Sequence, residues 1–139
     1  MRHRSLAAAL IGLALSAPAP ASDRGYPAQA LLSTGSSILG EPLRYPAGSP
    51  AHVTASIVTL APGARTVVHR HGVPLFAYIL SGELTVDYGA HGRRSYRAGQ
   101  AFMEAMAVAH FGVNDGQEPV RILAVYIGAD GESDVIVAK

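Results

Sequence analysis

The sequence predicts an all-β protein, a barrel or a sandwich built from short strands. Short β-prone runs follow one another along most of the chain, and each ends at a glycine or proline turn signal. No amphipathic stretch long enough for a helix separates the runs, which argues against a parallel α/β sheet. The chain also holds 15 glycines and 9 prolines but no tryptophan, a composition that suits strands and turns better than long helices.

The β-prone runs divide the chain into a barrel and its flanks. The predicted strands are residues 55–60, 65–71, 75–80, 83–88, 93–97, 101–104, 110–113 and 120–127. An Asn-Asp-Gly turn signal over residues 114–116 separates the last two. We therefore expect one β-barrel domain over residues 51–129. A Pro-, Gly- and Ser-rich arm over residues 22–50 precedes it, and a tail over residues 130–139 follows it.

The first residues have the pattern of a secretory signal peptide. A positively charged stretch over residues 1–4 precedes an apolar run over residues 6–17, and Ala19 and Ala21 form a small-x-small cleavage site. The apolar run is short for a bilayer span, and no later run approaches that length. We expect residues 1–21 to be removed and the remaining chain to be secreted or periplasmic, with no membrane partner.

The composition excludes several kinds of site. The chain has no cysteine, so disulfide scaffolds and thiol catalysis are excluded, and any metal must be held by nitrogen or oxygen. A formal net charge of +1 leaves no strongly basic surface of the kind that binds nucleic acid. Phosphate-binding loops, dinucleotide fingerprints and nucleophile elbows do not occur in the sequence. We expect a small-molecule ligand and no nucleic-acid partner.

Histidines carry the candidate chemistry. His52 and His91 lie near turn signals and are expected to face solvent. His69 and His71 are two residues apart on a predicted strand, so both side chains point to the same face. Imidazole is the commonest metal ligand in proteins. The pair either presents two nitrogens to one ion or consists of surface or hydrogen-bonded histidines.

Two spaced motifs extend the pattern beyond this pair. The first reads Gly63, five residues, His69-Arg70-His71, three residues, Leu75, six residues and Gly82. The second reads Gly99, ten residues, His110, three residues and Asn114. Both resemble the motifs of the cupin superfamily, and the resemblance covers about residues 43–128. It implies a cupin-type double-stranded β-helix (a jelly-roll barrel) in which His69, His71 and His110 bind one divalent metal ion.

The chain departs from the cupin motifs at three positions. Leu75 stands where the family usually has a glutamate ligand, so the resemblance is to a cupin branch that keeps three histidines without this carboxylate. Ala105 and Ala107 replace a proline and a glycine of the second motif. We expect these two replacements only to loosen a turn.

A site of three neutral histidines would leave two or three positions on the ion open. Because no ligand is anionic, the ion keeps its full 2+ charge and is a stronger Lewis acid than one with a carboxylate ligand. Iron(II) would suit a chelating substrate together with O2, and zinc would suit polarisation of a carbonyl or a bound water. We favour Fe2+, and Zn2+, Mn2+, Ni2+ and Cu2+ remain open.

Glu104 is the candidate catalytic residue. It lies six residues before His110 among apolar neighbours, where an ionised carboxylate is rarely buried without a partner. Three interpretations are open. In the first, Glu104 binds the ion in place of the missing carboxylate ligand. In the second, it is a base that orients a histidine or accepts a substrate proton. In the third, it is a rim carboxylate paired with an arginine.

Five further residues are candidates for a substrate pocket. Arg65 has the strand parity of the histidine pair, so it either points inward to bind a substrate carboxylate or reaches solvent at the strand end. The other four either form an apolar cavity wall or are ordinary core residues: Leu75, Ala77, Ile79 and Phe102. Asn114 is expected to fix the turn at the strand end.

Three functions fit this pattern. The first is a metal-dependent, dioxygenase-like enzyme that acts on a small chelating compound such as a β-dicarbonyl, an enol, a thiol or a phenolic. The second is a non-catalytic periplasmic cupin that binds a small molecule or a metal. The third is a zinc- or manganese-dependent isomerase or hydrolase that uses no oxygen. The resemblance also implies a homodimer, with the arm over residues 22–50 as a candidate contact.

Overall fold

The computed structural model describes Gly25 and residues 27–139. Within that part of the chain, nine strands are joined by turns and one 3-10 turn at Gly89–His91. The strands are β1 (Ala51–Leu60), β2 (His69–Arg70), β3 (Leu75–Ser81), β4 (Glu83–Asp87), β5 (Arg93–Arg97), β6 (Ala101–Met103), β7 (Phe111–Val113), β8 (Val120–Ala129) and β9 (Ile136–Val137). No helix in the described residues is long and apolar enough to cross a membrane. The all-β prediction is confirmed.

Two antiparallel sheets face each other across the core. One has four strands in the order β1-β8-β3-β6, and the other has three in the order β5-β4-β7. Strands β2 and β9 form a separate two-stranded ladder. Strand β1 pairs with β8 along its whole length, from Ala51 opposite Ala129 to Leu60 opposite Val120. Pairing of strands so distant in the sequence is typical of a jelly-roll barrel.

The apolar core lies between the sheets. Ile79 of β3, Val86 of β4 and Val120 of β8 are almost fully buried and belong to one packed cluster. Full burial of a side chain of this size contributes about 1.5–3 kcal/mol. Burial alternates residue by residue along the first part of β3, the pattern of a strand with one face on the core. This packing holds the two sheets apart by a fixed distance, which leaves room for a cavity at one end.

Gly82 carries the chain from the four-stranded sheet to the three-stranded one. Its φ of +77° lies in the left-handed region that favours glycine. A Cβ at this position would also lie 3.0 Å from the carbonyl oxygen of Pro119. The turn between β3 and β4 therefore needs glycine both for its backbone conformation and for space.

Two predicted strands differ from the observed ones by more than two residues. Strand β1 begins at Ala51, four residues earlier than expected, because its first residues are exposed on both faces and show no alternation. The predicted strand over residues 65–71 is interrupted by a bend at Val68, and only His69–Arg70 is paired as a strand. Because strand parity holds only along a continuous strand, Arg65 does not share the orientation of the histidines.

The segments that flank the barrel pack against it. In the arm, the Ile38 backbone N–H donates to the carbonyl oxygen of Met103 in β6 at 2.8 Å. In the tail, residues 136–137 form β9 and pair with β2. The predicted signal peptide, residues 1–21, lies outside the described residues.

Candidate metal centre

Three histidines from two distant segments meet at one end of the barrel. His69 lies in β2, His71 follows that strand directly, and His110 directly precedes β7. The backbones of His69 and His110 are paired, because each N–H donates to the carbonyl oxygen of the other at 2.9 Å. The chain thereby holds two of the three side chains at one fixed separation.

The three imidazole rings lie close enough to bind one ion. Ring centroids are 4.7 Å apart for His69 and His110, 4.9 Å for His69 and His71, and 5.2 Å for His71 and His110. One nitrogen from each ring lies within 4.8 Å of the other two. Two nitrogens bound to one ion by bonds of about 2.1 Å can be no more than about 4.2 Å apart. Small side-chain shifts would meet that limit, so the residues fit a metal ion.

The hydrogen bonds of the three rings leave the same nitrogen free on each. Nδ1 of His69 lies 2.8 Å from the carbonyl oxygen of Val67, and Nδ1 of His110 lies 2.8 Å from that of Val108. Nδ1 of His71 lies 2.9 Å from the carbonyl oxygen of Asp134. A carbonyl oxygen can only accept, so each Nδ1 carries the proton and each Nε2 has a free lone pair. Tying the second nitrogen in this way is how proteins orient a histidine for a metal.

Two of the Nε2 atoms have no partner of their own. Nε2 of His71 and Nε2 of His110 are buried and accept no hydrogen bond. A buried polar atom without a partner costs about 1–3 kcal/mol, and such atoms are rare in folded proteins. The prediction that these three histidines form one group able to hold a metal ion is confirmed.

The three histidines of the site remain neutral at physiological pH, because burial lowers the pKa of each. Burial lowers the pKa of His71 to about 4, against a partial upward effect from the Asp134 carbonyl. Burial also lowers the pKa values of His69 and His110. A neutral imidazole is the form that binds a metal, so the cavity keeps the ligands in the competent state below pH 7.

Glu104 lies beside the histidines with one oxygen engaged and one free. Its Oε1 accepts from the Tyr88 hydroxyl and from the Ala105 backbone N–H, both at 2.7 Å. Its Oε2 lies 3.8 Å from Nε2 of His110. Burial raises the pKa of Glu104 to about 7, and the two hydrogen bonds oppose that rise only in part. In the metal-free protein the carboxyl group therefore gains or loses a proton near neutral pH, and no arginine in the described part of the chain pairs with it.

A small cavity of about 80 Å³ opens onto these groups. Its polar lining consists of Thr66, His69, His71, Glu104, His110 and Tyr126. The other side chains around it are mainly aliphatic and come from both sheets: Val58, Leu60, Leu75, Ala77, Leu84, Val86, Ile122 and Ala124. Pockets for drug-sized ligands usually measure about 300–1,000 Å³, so this cavity suits a small ligand or one end of a larger one.

The predicted pocket residues divide into two groups. Leu75, Ala77 and Phe102 line the cavity, and Leu75 replaces the missing carboxylate with an apolar side chain beside the histidines. Ile79 does not line it, because it lies further along β3 and is fully buried in the core. Of the two interpretations of Arg65, the inward one is wrong, and the one in which it reaches solvent is correct. Arg65 is exposed with its guanidinium 5.2 Å from the Phe111 ring, because the bend at Val68 breaks the parity.

Three residues at the site were not predicted from the sequence. Tyr88 is buried and holds Glu104, but it lies just after β4 with no motif to mark it. Thr66 lines the cavity because of the same bend that turns Arg65 outward. Tyr126 of β8 lies with its ring centroid 5.7 Å from that of His71. Tyr126 lies two residues after Ala124 on the same strand, so the strand pattern could have predicted that both side chains face the cavity.

Asn114 has the expected structural role. It is fully buried, and its Nδ2 donates to the carbonyl oxygens of Leu60 and Glu118 at 2.9 Å each. Its Oδ1 accepts from the Gly116 backbone N–H at 3.0 Å. These bonds saturate the side chain, so it fixes the turn after β7 and does not line the cavity.

The arm fixes the loop that precedes His110. The Glu41 carboxylate accepts from the backbone N–H groups of Met106 and Ala107, each at 2.8 Å, and from the Ser37 hydroxyl at 2.7 Å. Burial raises the pKa of Glu41, but these hydrogen bonds outweigh burial and bring it below its usual value. The two alanines, Ala105 and Ala107, were expected to loosen this turn. The Glu41 carboxylate of the arm instead fixes it through hydrogen bonds.

We predict that Glu41→Gln destabilises the protein by about 1–2 kcal/mol, because an amide cannot accept all three hydrogen bonds and lacks the charge that strengthens them. Urea unfolding at pH 7 measures the change. The exposed Glu132→Gln is the matched control and should have no effect. Equal unfolding midpoints for the two variants would contradict the clamping role of Glu41.

Comparisons with known proteins identify the fold. The family model described as a cupin domain matches residues 56–126, which is just over half of the chain. The chain belongs to the cupin family. The matched region includes the motif residues Gly63, His69, His71, His110 and Asn114. No curated protein sequence matches this cupin.

Solved structures with the same fold are larger proteins. An oxalate oxidase is 22% identical with a TM-score of 0.53, and the match covers 62% of this cupin and 46% of that chain. The Lactobacillus farciminis oxalate decarboxylase, in a formate complex, is 22% identical with a TM-score of 0.53, over 61% of this cupin and 26% of that chain. Likeness at this identity shows the jelly-roll fold alone. This cupin spans less than half the length of either protein.

Proposed function

We propose that this cupin is an exported metal-dependent enzyme that binds one divalent ion through His69, His71 and His110 and acts on a small chelating organic substrate. The observation that carries the proposal is the set of three free Nε2 atoms, two of them buried without a partner, whose Nδ1 atoms are all tied to carbonyl oxygens. One cation would satisfy all three at once, which no single hydrogen-bond donor can do.

We favour Fe2+ and a dioxygenase-like reaction. A bound ion with three neutral ligands would supply open positions for a chelating substrate and O2 and would stabilise negative charge on substrate oxygens. The chain itself supplies the proton acceptor, because Glu104 Oε2 is free and faces His110, and burial raises the pKa of this carboxyl group in the metal-free protein. Tyr88 and the Ala105 N–H hold the other oxygen, so the carboxyl group stays oriented while its proton comes and goes.

The cavity limits the substrate. Its volume of about 80 Å³ admits only a small molecule or the reacting end of a larger one. The wall that includes Leu75 and Ala77 is aliphatic and offers no charged partner to a substrate. The substrate therefore attaches through its oxygen or sulfur donors at the histidine end, with an apolar part against the wall.

A zinc- or manganese-dependent isomerase is the second candidate. Glu104 favours it, because a carboxylate with one free oxygen beside His110 can take a proton from one substrate atom and return it to another without any oxidant. The two candidates use the same ligands and the same base. They differ in the metal and in the requirement for oxygen.

We predict that the metal-free protein, reloaded with Fe2+ under anaerobic conditions, consumes oxygen with at least one small β-dicarbonyl, enol, thiol or phenolic compound. The Glu104→Gln variant should lower that rate by about 10²–10⁴-fold, the usual contribution of a general base. An oxygen electrode makes the measurement, and Zn2+-loaded protein is the control. Isomerisation by the Zn2+ or Mn2+ form with no oxygen uptake by the Fe2+ form would favour the second candidate, and tight Fe2+ binding with no turnover would contradict both.

A further inference from the structure

We propose that residues 133–139, here named the C-terminal strap, position the ligand His71 and thereby set the metal affinity of the site. This inference rests on the metal site proposed above. It concerns a segment outside both cupin motifs that contributes no ligand of its own.

The strap is hydrogen-bonded to the segment that carries two of the three ligands. Strand β9 pairs with β2, with His69 opposite Val137 and Arg70 opposite Ile136. The Ala138 N–H also donates to the carbonyl oxygen of Val68 at 3.0 Å, at the bend that turns His69 inward. The backbone of the His-x-His segment is therefore bonded to His110 and Met106 on one side and to the strap on the other.

The strap supplies the one orienting bond that is not local. His69 and His110 each bond through Nδ1 to a carbonyl two residues earlier in their own segments. His71 instead bonds to the carbonyl of Asp134, 63 residues away along the chain. The tautomer and ring orientation of His71 therefore depend on where the strap lies, whereas those of the other two ligands do not.

Gly72 allows the strap to lie directly against the ligand segment. A Cβ at this position would collide with the carbonyl oxygen of Ser133, a backbone atom that cannot move without moving the strap. The φ of Gly72 is not positive, so glycine is needed here for space and not for backbone conformation. Ser133 immediately precedes Asp134, so a side chain at position 72 would displace the carbonyl that binds His71.

The strap is held weakly enough for this dependence to be measurable. Its strand has two residues, and Val135, Ile136 and Val137 are exposed by 41%, 39% and 59%. Few buried contacts mean that the strap opens locally at a small cost in free energy. Because binding effects are reciprocal, a metal that needs an oriented His71 must also favour the closed strap.

The experiment titrates the metal-free full chain and its variants with Co2+, which reports both affinity and coordination geometry through its visible absorption. Two variants disturb the strap: a truncation that ends at Glu132, and Gly72→Ala. Gly35→Ala is the matched control, because a Cβ there meets no atom within 4 Å and the φ of Gly35 is not positive. We expect both strap variants to raise the Kd for Co2+ by about 10–100-fold, the usual effect of losing an orienting partner, and to change the absorption spectrum.

Reciprocal protection gives a second readout in the unaltered chain. Addition of Zn2+ should slow hydrogen exchange of the strap amides, including that of Ala138. Unchanged Kd and spectrum in a truncated or Gly72→Ala protein with native circular dichroism would overturn the proposal. If neither variant folds, absence of metal protection at the strap would overturn it. Failure of the unaltered chain to bind Co2+ would overturn the metal site itself, which is a different result.

Discussion

His71→Ala is expected to weaken divalent metal binding by more than about 100-fold, because loss of a ligand exceeds the 10–100-fold cost of losing an orienting partner. The reason is geometric. His71 is one of three nitrogens that lie within 4.8 Å of one another, and no other side chain in the described residues belongs to that group. Only His69 and His110 would then remain to bind the ion. Isothermal titration of the metal-free protein with Zn2+, or Co2+ absorption, makes the measurement.

The matched control is His91→Ala. His91 is exposed at the end of the 3-10 turn and contributes nothing to the cavity, so its removal should leave the Kd unchanged. His110→Ala should behave like His71→Ala, and circular dichroism should show a native fold for all three variants. If His71→Ala and His110→Ala bind as tightly as His91→Ala, the ion is held elsewhere and the proposed site is wrong.

The sequence was sufficient to predict the ligands but not everything that positions them. The spacing of His69, His71 and His110 in two motifs predicted a single group, and the group is present. Strand periodicity also put Leu75 and Ala77 on one face of β3, and the cupin resemblance placed that face on the cavity, which both residues line. These successes depend on regular backbone, where the orientation of a side chain follows from its position in the strand.

Periodicity failed where the backbone is irregular. The bend at Val68 turned Thr66 inward and Arg65 outward, and no turn signal in the residues marks it. Contacts between distant segments were equally invisible. The Glu41 carboxylate reaches a loop 65 residues away, and the Asp134 carbonyl reaches His71 across 63 residues. A backbone carbonyl has no sequence signature at all, so a partner of this kind can only be seen once the chain is folded.

Removal of the Glu104 charge should stabilise the metal-free protein at neutral and alkaline pH. The folded-state pKa of Glu104 is about 7, against a usual value of 4.5 in an unfolded chain. Between pH 4.5 and 7 the folded protein retains a proton that the unfolded chain has released, so stability falls as the pH rises through this window. Above pH 7 both states are ionised, and the loss of stability is complete. A shift of this size corresponds to roughly 3–3.5 kcal/mol.

His71 acts in the opposite direction and defines the acid side of the profile. Its folded-state pKa of about 4 lies below the usual 6.5, so the unfolded chain binds a proton first and stability falls as the pH drops from 6.5 to 4. The metal-free protein should therefore be most stable near the middle of the two windows, between about pH 5 and 6.5. Glu104→Gln should remove the alkaline decline and leave the acid decline in place.

Glu104→Gln is close to isosteric, so the comparison isolates the charge. The amide oxygen can still accept from Tyr88 and from the Ala105 N–H, and the amide NH2 would face the free lone pair of His110 Nε2. Urea unfolding in EDTA from pH 5 to pH 8.5 measures the difference, with the exposed Glu118→Gln as the control. We expect the Glu104→Gln protein to gain roughly 3–3.5 kcal/mol at pH 8 and little at pH 5. A bound divalent ion would favour the ionised carboxylate, so the gain should shrink when Zn2+ replaces EDTA.

Parallel pH profiles for the unaltered protein and Glu104→Gln would show that this carboxyl group is not desolvated. The role of Glu104 as a proton acceptor near pH 7 would then have no physical basis.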